Sequence, residues 1–154
     1  MARAVLAVEC RRAPSELVEM CPLVRPGEAV GRLLTDWVYR IPAIRTAEAH
    51  QRTHLYEFAW RSPAFDGEYG AGHGAELPFV FDNLDAPVWR TMVGSAGSQP
   101  LADEVHQAWI AFARTGDPGW PPYLPGRTVR RFDTASTTLR EPDRARRTIW
   151  NRRR

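Results

Sequence analysis

The residue with the clearest chemical opportunity in this chain is His73, one imidazole set between glycines in Gly70-Ala71-Gly72-His73-Gly74-Ala75-Glu76. Small neighbours let another segment or a substrate approach the ring. An imidazole has an ordinary pKa near 6.5, so it can take a proton and then return it near neutral pH. The same spacing also suits a histidine that is merely exposed on a glycine-rich loop, and spacing alone does not separate the two.

Other combinations offer weaker chemistry. Val93-Gly94-Ser95-Ala96-Gly97 resembles a nucleophile elbow, but Val stands where the first glycine belongs and no strand is expected before it, so Ser95 reads as part of a turn. His50 and His54 have the i, i+4 spacing of a metal-binding helix. The Glu that should follow the first of them is missing, and a strand is expected to begin near Thr53, so they read as two surface histidines. His106 reads as a partly exposed helix residue. Cys10 and Cys21 are the only cysteines and read as free thiols, since one such pair makes no disulfide scaffold in a chain of this size.

Elements must hold these residues in place, and two helices stand out. Val30, Leu33, Leu34, Trp37, Val38 and Ile41 fall at helical spacing and predict one core-facing stripe. Pro42 should end or kink that helix, with Ala43 to Gln51 free to resume it. Leu101, Val105, Ala108, Trp109 and Phe112 predict a second helix, with Ser98 as N-cap, Asp103 and Glu104 in its first turn, and Gly116 and Pro118 ending it. Between them, the aromatic alternation of Thr53 to Trp60 predicts a strand closed by Ser62 and Pro63. The glycine-rich loop with His73 follows, and then the apolar run Leu77 to Phe81. Residues 82–99 read as loop or short turns, Thr128 to Asp133 as one short strand, and the Arg-rich end as a frayed helix finishing near Trp150.

Composition bounds the function classes. The chain has 154 residues, 44% hydrophobic and 25% charged, with six Trp, which suits one soluble globular domain. Residues 139–154 carry seven Arg against Glu141 and Asp143, a local +5 that leaves the first 138 residues at −2. A nearly neutral body gives no broad cationic face for nucleic acid, and the tail without interleaved aromatics reads as solvated. Ala4 to Val8 is too short for the core of a secretory signal, and no apolar run reaches the 18 or so residues of a membrane span. A cytoplasmic, membrane-free chain is the expectation.

The segment GAGHGAELPFVF, residues 70–81, resembles the histidine loop of type-B carboxylesterases and lipases, the group that includes the cholinesterases. TDWVYRIPA (35–43), LYEFAWRSP (55–63), LADEVHQAWIAFARTGDP (101–118) and the Trp-Pro pair at 120–121 resemble other segments of that family, in the same order. The resemblance covers roughly residues 28–150 and leaves 1–27 as an irregular lead and 151–154 as the end of the Arg-rich tail. It implies an α/β architecture, a partial α/β-hydrolase fold of one or two strands at the end of a parallel-type sheet with two main helices packed on it. It further implies ester hydrolysis by a Ser, Asp or Glu, and His triad, with His73 matching the catalytic histidine. Glu76 matches a position that supports the loop or an adjacent acidic rim and is not the third triad member. Neither cofactor nor metal is implied.

In that fold the serine and the acid precede the histidine in the chain. Before His73 the serines are Ser15 and Ser62, neither in a Gly-x-Ser-x-Gly elbow, and no glycine-rich oxyanion-hole segment occurs. The expectation is a C-terminal portion of a serine carboxylic ester hydrolase that supplies the histidine, acts on a small carboxylic ester only in a complete domain, and is inactive alone. Its expected partner is a complementary N-terminal esterase chain. The competing reading is a non-catalytic module or remnant that binds a partner through its open sheet edge or Arg-rich tail. An open edge with exposed aromatics also predicts aggregation or marginal stability.

Overall fold

The apolar stripe that starts at Val30 does fold as helix, and it changes phase partway along. The computed structural model describes residues 26–50, 52–94 and 97–151, so Cys10, Cys21, Ser15, Ser95 and almost all of the 1–27 lead lie outside the described residues. Helix α1 (Pro26–Thr35) runs into a widened π turn, Asp36–Arg40, and then into α2 (Ile41–Ala49). The Ile41 N–H donates to the Asp36 carbonyl, five residues back. Pro42 therefore sits in the first turn of α2 and does not end the helix. The wider turn has already moved the carbonyl that its ring would strike.

That turn also corrects the single-face expectation. One residue of slippage rotates a helical face by about 100°. Leu33 and Ile41 are buried, whereas Trp37 and Val38 are 46% and 47% exposed.

Chain contacts cluster into two compact units, one of Arg52–Arg140 and one of the residues on either side of it. In the flanking unit, helix α6 (Arg144–Asn151) packs Ile149 and Trp150 on Leu33. Asp36 is buried and takes Arg40 at 3.2 Å and Arg146 at 3.1 Å. Arg40 also reaches Asp143 at 3.3 Å, and Arg147 pairs with Glu141 at 2.5 Å. Arg45 donates to the Trp150 carbonyl at 3.5 Å. The expectation of a frayed, solvated tail is thus overturned for 144–151: Arg146 is engaged by Asp36, 110 residues away, and Arg147 by the nearby Glu141.

The Arg52–Arg140 unit is built on three strands: β1 (Leu55–Phe58), β2 (Thr128–Phe132) and β3 (Thr137–Arg140), in the order β1-β2-β3. β1 and β2 are parallel, with Leu55 opposite Val129 and Phe58 opposite Phe132, and β2 and β3 are antiparallel. The third strand is one more than expected. Its residues Thr137, Thr138 and Arg140 are exposed, so it carries almost no apolar alternation to read.

Parallel strands need a long crossover. Here it holds the short helices α3 (Leu77–Val80) and α4 (Arg90–Val93), and then α5 (Gln99–Thr115). Helix α5 ends as expected at Gly116, whose left-handed φ of 77° lets its N–H reach the Phe112 carbonyl at 2.8 Å. Ser98 is the N-cap residue but makes no side-chain cap bond, and Asp103 and Glu104 lie beyond the first turn. Glu104 instead pairs with Arg130 of β2 at 2.5 Å. Leu101 and Val105 of α5 enter the core with Phe79 and Phe132, while Trp109 and Phe112 stay 46% and 45% exposed. Phe79 is fully buried, its ring 5.0 Å from those of Phe58 and Trp60.

Candidate active site

The histidine loop starts where β1 runs out. The Ala59 N–H still reaches Phe132, and Ser62 then forms an isolated bridge with Gly70, its N–H on the Gly70 carbonyl at 3.0 Å. This closes 62–70 into a small loop, with the Gly67 N–H on the Pro63 carbonyl at 2.9 Å. Ser62 is buried, its hydroxyl donating to the Met92 carbonyl and accepting the Ala64 N–H at 3.0 Å. That hydroxyl fastens the loop to the end of α4.

Gly70 at φ 55° and Gly74 at φ 80° then turn the backbone through the left-handed region on either side of His73. The Ala75 N–H returns to the Gly72 carbonyl and the Leu77 N–H to the Gly74 carbonyl, both at 3.1 Å, and α3 follows at once. At position 74 a Cβ would also lie 3.4 Å from the Met92 methyl. His73 is exposed on this turn. The Tyr69 hydroxyl donates to its backbone carbonyl at 2.7 Å.

Glu76, half-buried, caps the start of α3 with its carbonyl, which accepts the N–H groups of Phe79 and Val80. Its charge is felt by two phenols. Burial raises Tyr56 above its ordinary value, Glu76 adds to the rise, and a hydrogen bond with Trp109 works against it. Tyr69 is raised by burial and then by Glu76. Neither tyrosine stood out in the sequence. For Tyr69 the available signal was an aromatic hydroxyl four residues before the histidine, beside glycines that leave room for it.

The remaining candidates disperse. Helix α2 ends at Ala49, so His50 and His54 are no helical pair; His50 is exposed at the helix cap. His54 is not a surface histidine. It is half-buried, Nδ1–H donating to the Trp120 carbonyl at 2.8 Å, with its ring edge-on to Phe112 and Trp120. His106 is half-buried and donates from Nδ1 to the Val80 carbonyl at 2.8 Å, which ties α5 to α3. Ser95 is preceded by helix α4, not by a strand. No group of three His, Cys, Asp or Glu among the described residues could hold a metal ion. None of their helices is long and apolar enough to cross a membrane.

A parallel strand leading into a histidine turn, with a long helix crossing back to the next strand, is an α/β unit, and comparison with known proteins shows which fold it belongs to. The profile of the Carboxylesterase family matches residues 24–141, and the chain belongs to that family. It is 34% identical over 99 residues to phenmedipham hydrolase of Pseudarthrobacter oxydans, covering 60% of this chain and 20% of that protein. It is 32% identical over 108 residues to para-nitrobenzyl esterase of Bacillus subtilis (strain 168), covering 59% and 20%. Among solved structures it is similar to Geobacillus stearothermophilus carboxylesterase EST55, with a TM-score of 0.74 at 30% identity over 89% of this chain and 32% of that one. The chain therefore spans about a fifth of the length of these curated relatives.

Proposed function

We propose that this chain contributes the histidine of a serine carboxylic ester hydrolase, with His73 as general base and then general acid. In the proposed cycle Nε2 takes the serine proton as Oγ attacks the ester carbonyl, and returns it to the departing alcohol. Nδ1 is held by a carboxylate that fixes the tautomer and stabilises the imidazolium. The observation that carries this reading is the exposed His73, on a turn whose both flanks are pinned, within the matched segment of a carboxylesterase. A general base must reach its partner before it can act.

The serine in this proposal comes from polypeptide beyond these 154 residues. Ser62, the one described serine ahead of His73, is committed to Met92 and Ala64, and the sequence before His73 holds no elbow. Phe65 and Phe81, at 62% and 63% exposed, and Val88, at 70%, are consistent with a unit that a larger domain covers. The substrate class is a carboxylic ester.

The test joins the chain to a serine-bearing N-terminal portion of a type-B carboxylesterase and follows hydrolysis of a short-chain nitrophenyl ester. A fluorophosphonate label reports the activated serine. The expected result is no hydrolysis and no label with the chain alone, and hydrolysis with the complement that His73→Ala abolishes. Hydrolysis by the chain alone that survives His73→Ala would overturn the proposal.

A further inference from the structure

We propose that Tyr69 is a positioning residue for His73: its hydroxyl holds the histidine's own backbone carbonyl and so sets where the imidazole stands. The inference rests on the reading of His73 as the proton carrier and adds the residue that aims it. The hydrogen bond, 2.7 Å long, spans Gly70-Ala71-Gly72, a stretch in which two glycines leave the backbone more conformations to lose than other residues would. A proton carrier on such a stretch needs an external tie, because transfer demands a partner within hydrogen-bond reach and an ångström of misplacement costs on the order of a hundredfold in rate.

The tie is itself anchored. Tyr69 donates its N–H to Ala64 at 3.3 Å, and its ring lies 6.3 Å from that of Phe65, both inside the loop that Ser62 and Gly70 close. The glycine at 72 is what lets the phenol lie across the backbone. A Cβ there would stand 3.0 Å from two carbons of the Tyr69 ring and from the Tyr69 carbonyl oxygen. Tyr69 and Gly72 thus form one device, with the side chain of one laid over the bare backbone of the other.

The experiment needs no substrate. In the full chain, carbon–proton NMR of the four histidine rings reads the surroundings of His73, assigned by the peak lost in His73→Ala, with His54 and His106 as internal references. Tyr69→Phe keeps the ring and removes the donor. The expected result is a shift of the His73 ring resonance, unmoved reference rings, and hydrogen exchange at Ala75, whose N–H the Gly72 carbonyl holds, faster by about threefold to tenfold, the worth of one ordinary hydrogen bond. Gly72→Ala keeps the hydroxyl but displaces the ring, and the same His73 shift is expected, so the test survives poor folding of either variant. A His73 resonance that stays in place in both variants overturns the inference, whatever the esterase assay shows. A shifted resonance combined with complemented hydrolysis that ignores His73→Ala instead rejects the catalytic reading and leaves Tyr69 holding the loop. In the complemented enzyme Tyr69→Phe should lower kcat and leave KM unchanged.

Discussion

Behind the histidine turn, single side chains decide how firmly it is held. Phe79 begins two residues into α3 and is fully buried against Phe58 and Trp60. Phe79→Ala should destabilise the chain by about 3–5 kcal/mol in a denaturant titration, because it removes a large buried ring and leaves a cavity. A cost under about 1 kcal/mol would contradict the packing described. Tyr56 makes a different prediction. Its proton is held more tightly in the folded chain, by burial and by Glu76, than in the unfolded one. Its contribution to stability is therefore complete below the unfolded pKa near 10 and is lost as pH rises from there through the raised folded value. Tyr56→Phe should flatten the fall in stability above about pH 10, and an unchanged alkaline slope would count against it. At this scale the sequence showed His73 and its glycines plainly. It did not show Tyr69 or the burial of His54, because both depend on which carbonyl a side chain meets after folding.

Elements were legible to the extent that one period ran through them. Helix α5 came out close to its expected limits because Gly116 ends it by a local rule, a left-handed C-terminal residue. The stripe from Val30 to Ile41 was right as helix and wrong as one face, since nothing in apolar spacing announces a π turn. β3 was missed because its exposed threonines carry no alternation, and α6 was misread because its partners are tertiary. Arg146 pairs with Asp36 across 110 residues. The prediction at this scale concerns that carboxylate, buried while its arginines are partly exposed. Asp36→Asn should cost about 1–3 kcal/mol, less than a fully buried pair because water can still reach the guanidinium groups. Hydrogen exchange should quicken in Leu33–Ala47 and Arg144–Trp150. Unchanged exchange there would show that the ion pairs do not hold α6.

For the whole molecule, the family was legible in ordered segments spread over most of the chain, and the family match spans residues 24–141. What a sequence of this length does not spell out is the rest of the reaction, because a triad is assembled from residues far apart in the chain and these 154 residues correspond to about a fifth of their curated relatives. In the proposed reaction His73 carries the proton transfers, and the nucleophilic serine comes from another part of the polypeptide of the working domain. The most direct test is nitrophenyl ester hydrolysis by the chain assembled with a serine-bearing carboxylesterase portion, measured beside the same assembly carrying His73→Ala. Hydrolysis is expected to fall by roughly 10²–10⁴-fold on losing the imidazole, with circular dichroism unchanged. Hydrolysis that is indifferent to His73→Ala would contradict this role for His73.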